Sequence, residues 1–208
     1  MAYGDFSAID LMKKFGIKFR AEDLFPNVSP LAPTEWLTSA LRKATELGFG
    51  SEKSRSERLV TPILLELSDI NHHRFSIYSG VNLDVDEQLG LKGECDFIFS
   101  FSRIQDFVVS PIFCVTEAKK QDLEQGTIQA SAQLIGAKKL NELENNVINT
   151  LYGCSTTGVE WRFIKFENNE IVIDETRYLI NNLGKLMGIL QYIIDTNDLI
   201  FQQADLRR

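Results

Sequence analysis

The sequence predicts an α/β fold in which a central mixed β-sheet is flanked by helices. Three observations carry that expectation. Apolar residues recur at helical spacing in four long stretches and at alternating or continuous spacing in shorter ones between them. The stretches run in the order helix, three strands, helix, two strands, helix. The length, 208 residues, suffices for one well-formed core and would be cramped as two.

Residues 1–50 are expected to form a helical extension packed on a main domain of residues 51–208. Pro26, Pro30 and Pro33 interrupt any regular element in the extension. Thr34 then caps a helix to about Leu47, with Trp36, Leu37, Ala40, Leu41, Ala44 and Leu47 on one stripe, and Gly48 ends it. A second helix covers about 51–68, kinked or restarted at Pro62, whose missing amide removes one hydrogen bond. Glu57, Val60 and Leu64 in it fall at spacings that put a carboxylate on an apolar stripe. Strands are expected at about 74–79, 95–101 and 112–118, a helix at 122–140, and strands at 160–166 and 171–174. Asn168-Asn169 joins the last two in a tight hairpin. A long apolar helix at about 178–201 closes the chain.

Composition narrows the function classes. Apolar residues make up 44% and charged residues 25%, an ordinary balance for a soluble domain. No apolar run is long enough to cross a bilayer and no signal sequence opens the chain, so a cytoplasmic location is expected. Cys95, Cys114 and Cys154 are too few and too scattered for a disulfide framework or a zinc knuckle. The two histidines, His72 and His73, are adjacent and read as a polar turn. G-x-S-x-G, Walker A and dinucleotide-binding glycine motifs are absent. The net charge of −7 works against nucleic-acid binding, although residues 1–60 carry nine Lys/Arg against eight Asp/Glu.

The chemistry is concentrated in two segments, Gly93–Phe101 and Pro111–Lys120. In extended chain Asp96, Ile98 and Ser100 share one face, as do Phe113, Val115, Glu117 and Lys119. If residues 102–110 turn the chain, antiparallel pairing brings Asp96 and Glu117 to the same end of the sheet. Two carboxylates leaving strands otherwise rich in Phe, Ile, Val and Cys are costly unless a partner offsets their charge. A hard divalent cation is one such partner, and Lys119 beside it suits a developing negative charge. An edge salt bridge of Lys119 with the two acids is the plainer reading.

In these residues the sequence resembles the PD-(D/E)XK, or restriction-endonuclease-like, nuclease superfamily. Its motif is an acid at the start of one strand followed by E-x-K at the end of the next, here Asp96 and Glu117-Ala118-Lys119. The proline of the family name is replaced by Cys95. The resemblance spans about residues 51–175 and implies an αβββαβ core with Asp96, Glu117 and Lys119 as the catalytic triad. It implies Glu57 as a further metal ligand from the preceding helix, and Gln129 and Gln133 as site residues on the following one. It also implies Mg²⁺, with Mn²⁺ as substitute, and nucleic acid, most simply DNA, as substrate. Arg55, Arg58, Lys120, Lys138 and Lys139 are candidate phosphate contacts.

Two other classes stay open: a catalytically silent nuclease-fold module that binds nucleic acid or protein, and a subunit of a larger defence or repair complex. The apolar stripe of the last helix, with Gly184 and Gly188 allowing close approach, suggests a homodimer through 178–201.

Overall fold

The computed structural model describes residues 1–146 and 148–205, with side chains through residue 199. Its elements in chain order are α1 (Ala8–Phe15), β1 (Lys18–Glu22), α2 (Glu35–Leu47), α3 (Glu52–Arg55), a π-helical turn (Ser56–Val60) and α4 (Thr61–Ile70). There follow β2 (Ser76–Asn82), β3 (Glu94–Ser100), β4 (Ile112–Ala118), α5 (Leu123–Leu143), β5 (Thr150–Thr156), β6 (Glu160–Glu167), β7 (Glu170–Leu179) and α6 (Leu183–Asp205). The seven strands form one mixed sheet in the order β1-β7-β6-β5-β4-β3-β2. Only β1/β7 and β4/β5 pair in parallel.

The sheet is covered on both faces, which is why β4 and β5 are buried along their whole length. Helix α5 lies on one face, against β4, β5 and β6. Helices α4 and α6 pack together on the other, with α6 reaching β5 and β7. Small residues bring α5 close to the sheet. A Cβ added to Gly126 would stand 2.2 Å from Ser155 Oγ, and one on Gly136 would meet Tyr3 Oη at 2.2 Å.

Most expected elements are present, and the differences have identifiable causes. The Thr34 cap accepts from the Leu37 amide. The Asn168-Asn169 turn has both residues at positive φ, which the twist of a two-residue hairpin favours. Pro62 sits in the first turn of α4, and the chain meets its missing donor by widening into the π turn before it. There the Thr61 amide reaches back to the Ser56 carbonyl.

Residues 1–50 are not purely helical, because β1 adds a strand to the sheet edge, parallel to β7. Strand β5 was also not expected; its residues, Thr-Leu-Tyr-Gly-Cys-Ser-Thr, carry no clear alternation, and the packing of α5 makes them a strand. The last helix begins at Leu183 rather than Tyr178, because β7 runs on to Leu179.

Most of the stripe expected to recruit a second copy packs within the chain, while Leu179 in it is exposed. Leu186, Met187, Leu190, Ile193 and Ile194 are buried in its own core. A Cβ on Gly188 would lie 2.2 Å from the Ser29 carbonyl oxygen, and the Gly184 carbonyl accepts from the Leu31 amide. The close approach that these glycines permit is to the proline segment, and Ile200 lies outside the residues with described side chains. Cys95, Cys114 and Cys154 are buried and free, and His72 and His73 form a turn at positive φ. Among the described residues no helix is long and apolar enough to cross a membrane.

Candidate active site

Strands β3 and β4 pair antiparallel with Phe97 opposite Thr116 and Ile98 opposite Val115. One step further along this register stand Asp96 and Glu117, on the face that α5 covers. The sequence expectation for this hairpin therefore closes as drawn. The Ala118 amide donates to Asp96 Oδ2 at 2.7 Å, tying the start of β3 to the end of β4. Lys119 Nζ donates to Glu117 Oε1 at 2.8 Å, and Gln133 Nε2 on α5 donates to Glu117 Oε2 at 2.7 Å. Each Glu117 oxygen thus has one donor. Gln133 is fully buried, and its Oε1 has no partner.

The electrostatics follow from burial. Glu117 is only 3% exposed, and burial, then the Asp96 charge, push its carboxyl up to about 7, against the opposing pull of Lys119 and Gln133. Asp96 is also raised by burial, partly offset by the Ala118 amide and Lys119. Burial works to lower the Lys119 pKa, but the bond to Glu117 and the charges of Glu117, Glu52 and Asp96 together outweigh this and the net shift is upward. One lysine therefore does not neutralise the pair.

This donor set fits a hard divalent cation. Two adjacent, largely buried carboxylates repel each other, and a buried amide oxygen beside them lacks a partner. Mg²⁺ needs one or two protein carboxylates and keeps several waters. No group of three or more His, Cys, Asp and Glu side chains able to hold a metal occurs among the described residues. Any cation here would rest on Asp96 and Glu117.

The structure separates the other expected site residues. Gln133 joins the cluster. Gln129, one turn away, is half-buried, and its side chain lies against Gly4 of the N-terminal segment. Glu57 is not brought in: it is exposed, and its nearest basic partner is Lys53 at 3.8 Å. The expectation that it reaches the metal site is corrected. The reason is the π turn, whose extra residue breaks the helical count that had put Glu57 in phase with Val60 and Leu64.

Glu52 takes the position nearest the cluster from that side. It accepts from the Lys120 amide at 3.0 Å, and its charge acts on both Asp96 and Lys119. Its one sequence signal was its place in the first turn after the Ser51 cap. Several candidate phosphate contacts are engaged elsewhere. Arg55 donates to the Thr157 carbonyl and Arg58 to that of Gly48, while Lys139 pairs with Asp86 and Lys138 with Glu142.

A cleft of about 680 Å³ lies between the Glu22–Leu31 segment and α6, and none of the carboxylate cluster lines it. Two of its acids are already paired, Glu22 with Arg20 and Asp195 with Arg74. No family model, curated protein or solved structure matches the chain.

Proposed function

We propose that this protein is a metal-dependent nuclease that hydrolyses phosphodiester bonds, in DNA before RNA, on a core of the PD-(D/E)XK type. The observation that carries the reading is the meeting of Asp96, Glu117, Lys119 and Gln133 at one end of the β3–β4 hairpin. Each of the two acids has a neutral donor, the Ala118 amide or Gln133 Nε2, yet the Asp96 charge also acts against Glu117 and only Lys119 pairs with it.

When bound, Mg²⁺ or Mn²⁺ would polarise the scissile phosphate and acidify water beside it. Asp96 and Glu117 would hold that cation. The Ala118 amide orients Asp96, and Gln133 Nε2 orients Glu117. Lys119 Nζ, now on Glu117 Oε1, would donate to the phosphoryl oxygens as negative charge grows on them.

Cleavage of plasmid and single-stranded DNA with Mg²⁺ and with Mn²⁺, by the wild type and by Lys119→Ala, tests the reading. Metal-dependent products from the wild type and at least about a hundredfold slower cleavage by the variant are expected. Nucleic-acid binding with no cleavage under any metal would instead identify a silent module of this fold.

A further inference from the structure

Strand registers place one row of side chains across five strands. Asp96 on β3 stands at the level of Glu117 on β4. Glu117 pairs with Ser155 on β5, Ser155 with Arg162 on β6, and Arg162 with Arg177 on β7. Directly paired residues point to the same face, and contacts fix which face it is. Gln133 and Gly126 of α5 meet Glu117 and Ser155, and Glu124 of α5 meets Arg177. The row therefore runs beside the N-terminal turns of α5, from two carboxylates through a neutral hydroxyl to two arginines.

The two arginines differ in how they are satisfied. Arg177 donates to Glu124 at 2.5 Å and to Glu160 at 3.1 Å. Arg162 has no carboxylate within ion-pair distance among the described residues, and its Nε is buried without an acceptor. Glu124 lies within electrostatic range of Arg162 but already bonds Arg177. A half-buried guanidinium left in this state is costly, and an incoming anion would relieve it with a charge-assisted hydrogen bond. Ser155 Oγ, between Glu117 and Arg162 in the row, is buried and also without a partner.

We propose that Arg162 binds a backbone phosphate of the nucleic-acid strand, a short step from the phosphodiester held at Asp96 and Glu117. The inference rests on the nuclease reading and adds to it the path of the strand, from the carboxylates along the end of the sheet, past the end of β5 that α5 covers, toward the start of β6. The distance supports it. Two strand spacings separate β4 from β6, about 10 Å. Consecutive nucleotides advance about 3.4 Å per strand in duplex DNA and further when the strand is extended. With the length of an arginine side chain to draw on, the phosphate lies one to three nucleotides away. In a chain of net charge −7, an arginine without an acidic partner beside the carboxylates gives the strand a local attraction that the molecule as a whole does not.

The test is binding of a labelled single-stranded DNA of about twenty nucleotides, and of its duplex, against salt concentration, in EDTA and in Ca²⁺. The proteins are the wild type, Arg162→Gln, Arg162→Lys and Arg20→Gln, the last a control at the far sheet edge. Arg162→Gln should bind about tenfold more weakly and with a salt dependence lower by about one counterion. Arg162→Lys should keep the wild-type salt dependence, and Arg20→Gln should match the wild type. Oligonucleotides with one neutral methylphosphonate at successive positions should reveal a position near the cleavage point that weakens the wild type and not Arg162→Gln.

Equal affinity and salt dependence for the wild type and Arg162→Gln, in a protein that binds and cleaves DNA, would overturn this inference alone. A wild type that binds neither oligonucleotide in either condition would overturn it together with the nuclease reading. Should Arg162→Gln fold poorly, Arg162→Lys decides: loss of binding along with loss of the salt slope contradicts the phosphate contact.

Discussion

Glu66 and Glu117 are buried to the same degree, each 3% exposed, yet the protein supports them in opposite ways. Glu66 on α4 receives the Thr34 amide at 2.6 Å on one oxygen and the Thr34 hydroxyl at 2.5 Å on the other. Its neutral donors fasten the start of α2 to α4. The buried Asp174 is held similarly by the Thr176 amide and the Tyr178 hydroxyl. Glu117 instead faces a second carboxylate, Asp96, with one lysine between more charge than it can balance. Burial alone therefore does not mark a functional acid. Asp174 is raised by burial as well, so what sets Glu117 apart is that the charge of Asp96 is the second-largest cause of its shift and a lysine bonds one of its oxygens.

The largest expected effect exchanges the outcomes of mutating these two residues. Glu117→Gln keeps the shape of the side chain and removes the repulsion. It should slow metal-dependent cleavage by about a thousandfold or more while leaving the metal-free protein at least as stable as the wild type. Glu66→Ala should do the reverse. It strands the Thr34 amide and hydroxyl and weakens the α2 cap, costing roughly 3 kcal/mol in denaturant unfolding while the folded fraction cleaves normally. If both variants lose stability equally, the contrast between them is broken.

A smaller effect is read from pH. The folded Glu117 carboxyl titrates at about 7, above its ordinary value of 4.5. Between those values the folded chain binds more protons than the unfolded one, so its stability falls as pH rises from about 4.5 to 7. Asp96, also raised, acts in the same direction. The metal-free wild type should therefore lose on the order of 3 kcal/mol across that range relative to Glu117→Gln. Unfolding curves of the two proteins in EDTA, taken at several pH values, measure the difference, and parallel curves would contradict it.

The smallest effect belongs to Glu57. Glu57→Gln should change stability by less than about 0.5 kcal/mol and leave cleavage unaltered, since it removes only an exposed pair with Lys53. A large loss of cleavage in Glu57→Gln would return that residue to the site.

How far the site could be read from sequence follows the same divide between local and long-range structure. Asp96, Glu117 and Lys119 were legible because strand alternation and one antiparallel turn fix their placement, and the β3–β4 register agrees. Gln133 was legible because helical spacing puts it on a definite face of α5. Glu57 was misplaced because a π turn, caused by Pro62, shifts the helical count between it and the residues after it. Ser155 could not be seen at all, and Arg162, although on an expected strand, could not be placed beside the site. Their positions depend on β5, whose small and polar residues show no strand pattern until α5 and β6 bury them. In the N-terminal region β1 was illegible for a related reason, as a mostly exposed edge strand with no alternation of its own.

The central claim is that Asp96 and Glu117 form a cation site rather than two arms of a salt bridge to Lys119. Thermal melts of the wild type and Asp96→Asn, each in EDTA and in Mn²⁺, test it most directly. The account predicts that Asp96→Asn melts no lower than the wild type in EDTA, and that Mn²⁺ raises the wild-type Tm clearly and that of the variant much less. A variant that melts lower in EDTA, with a wild type indifferent to Mn²⁺, would contradict it.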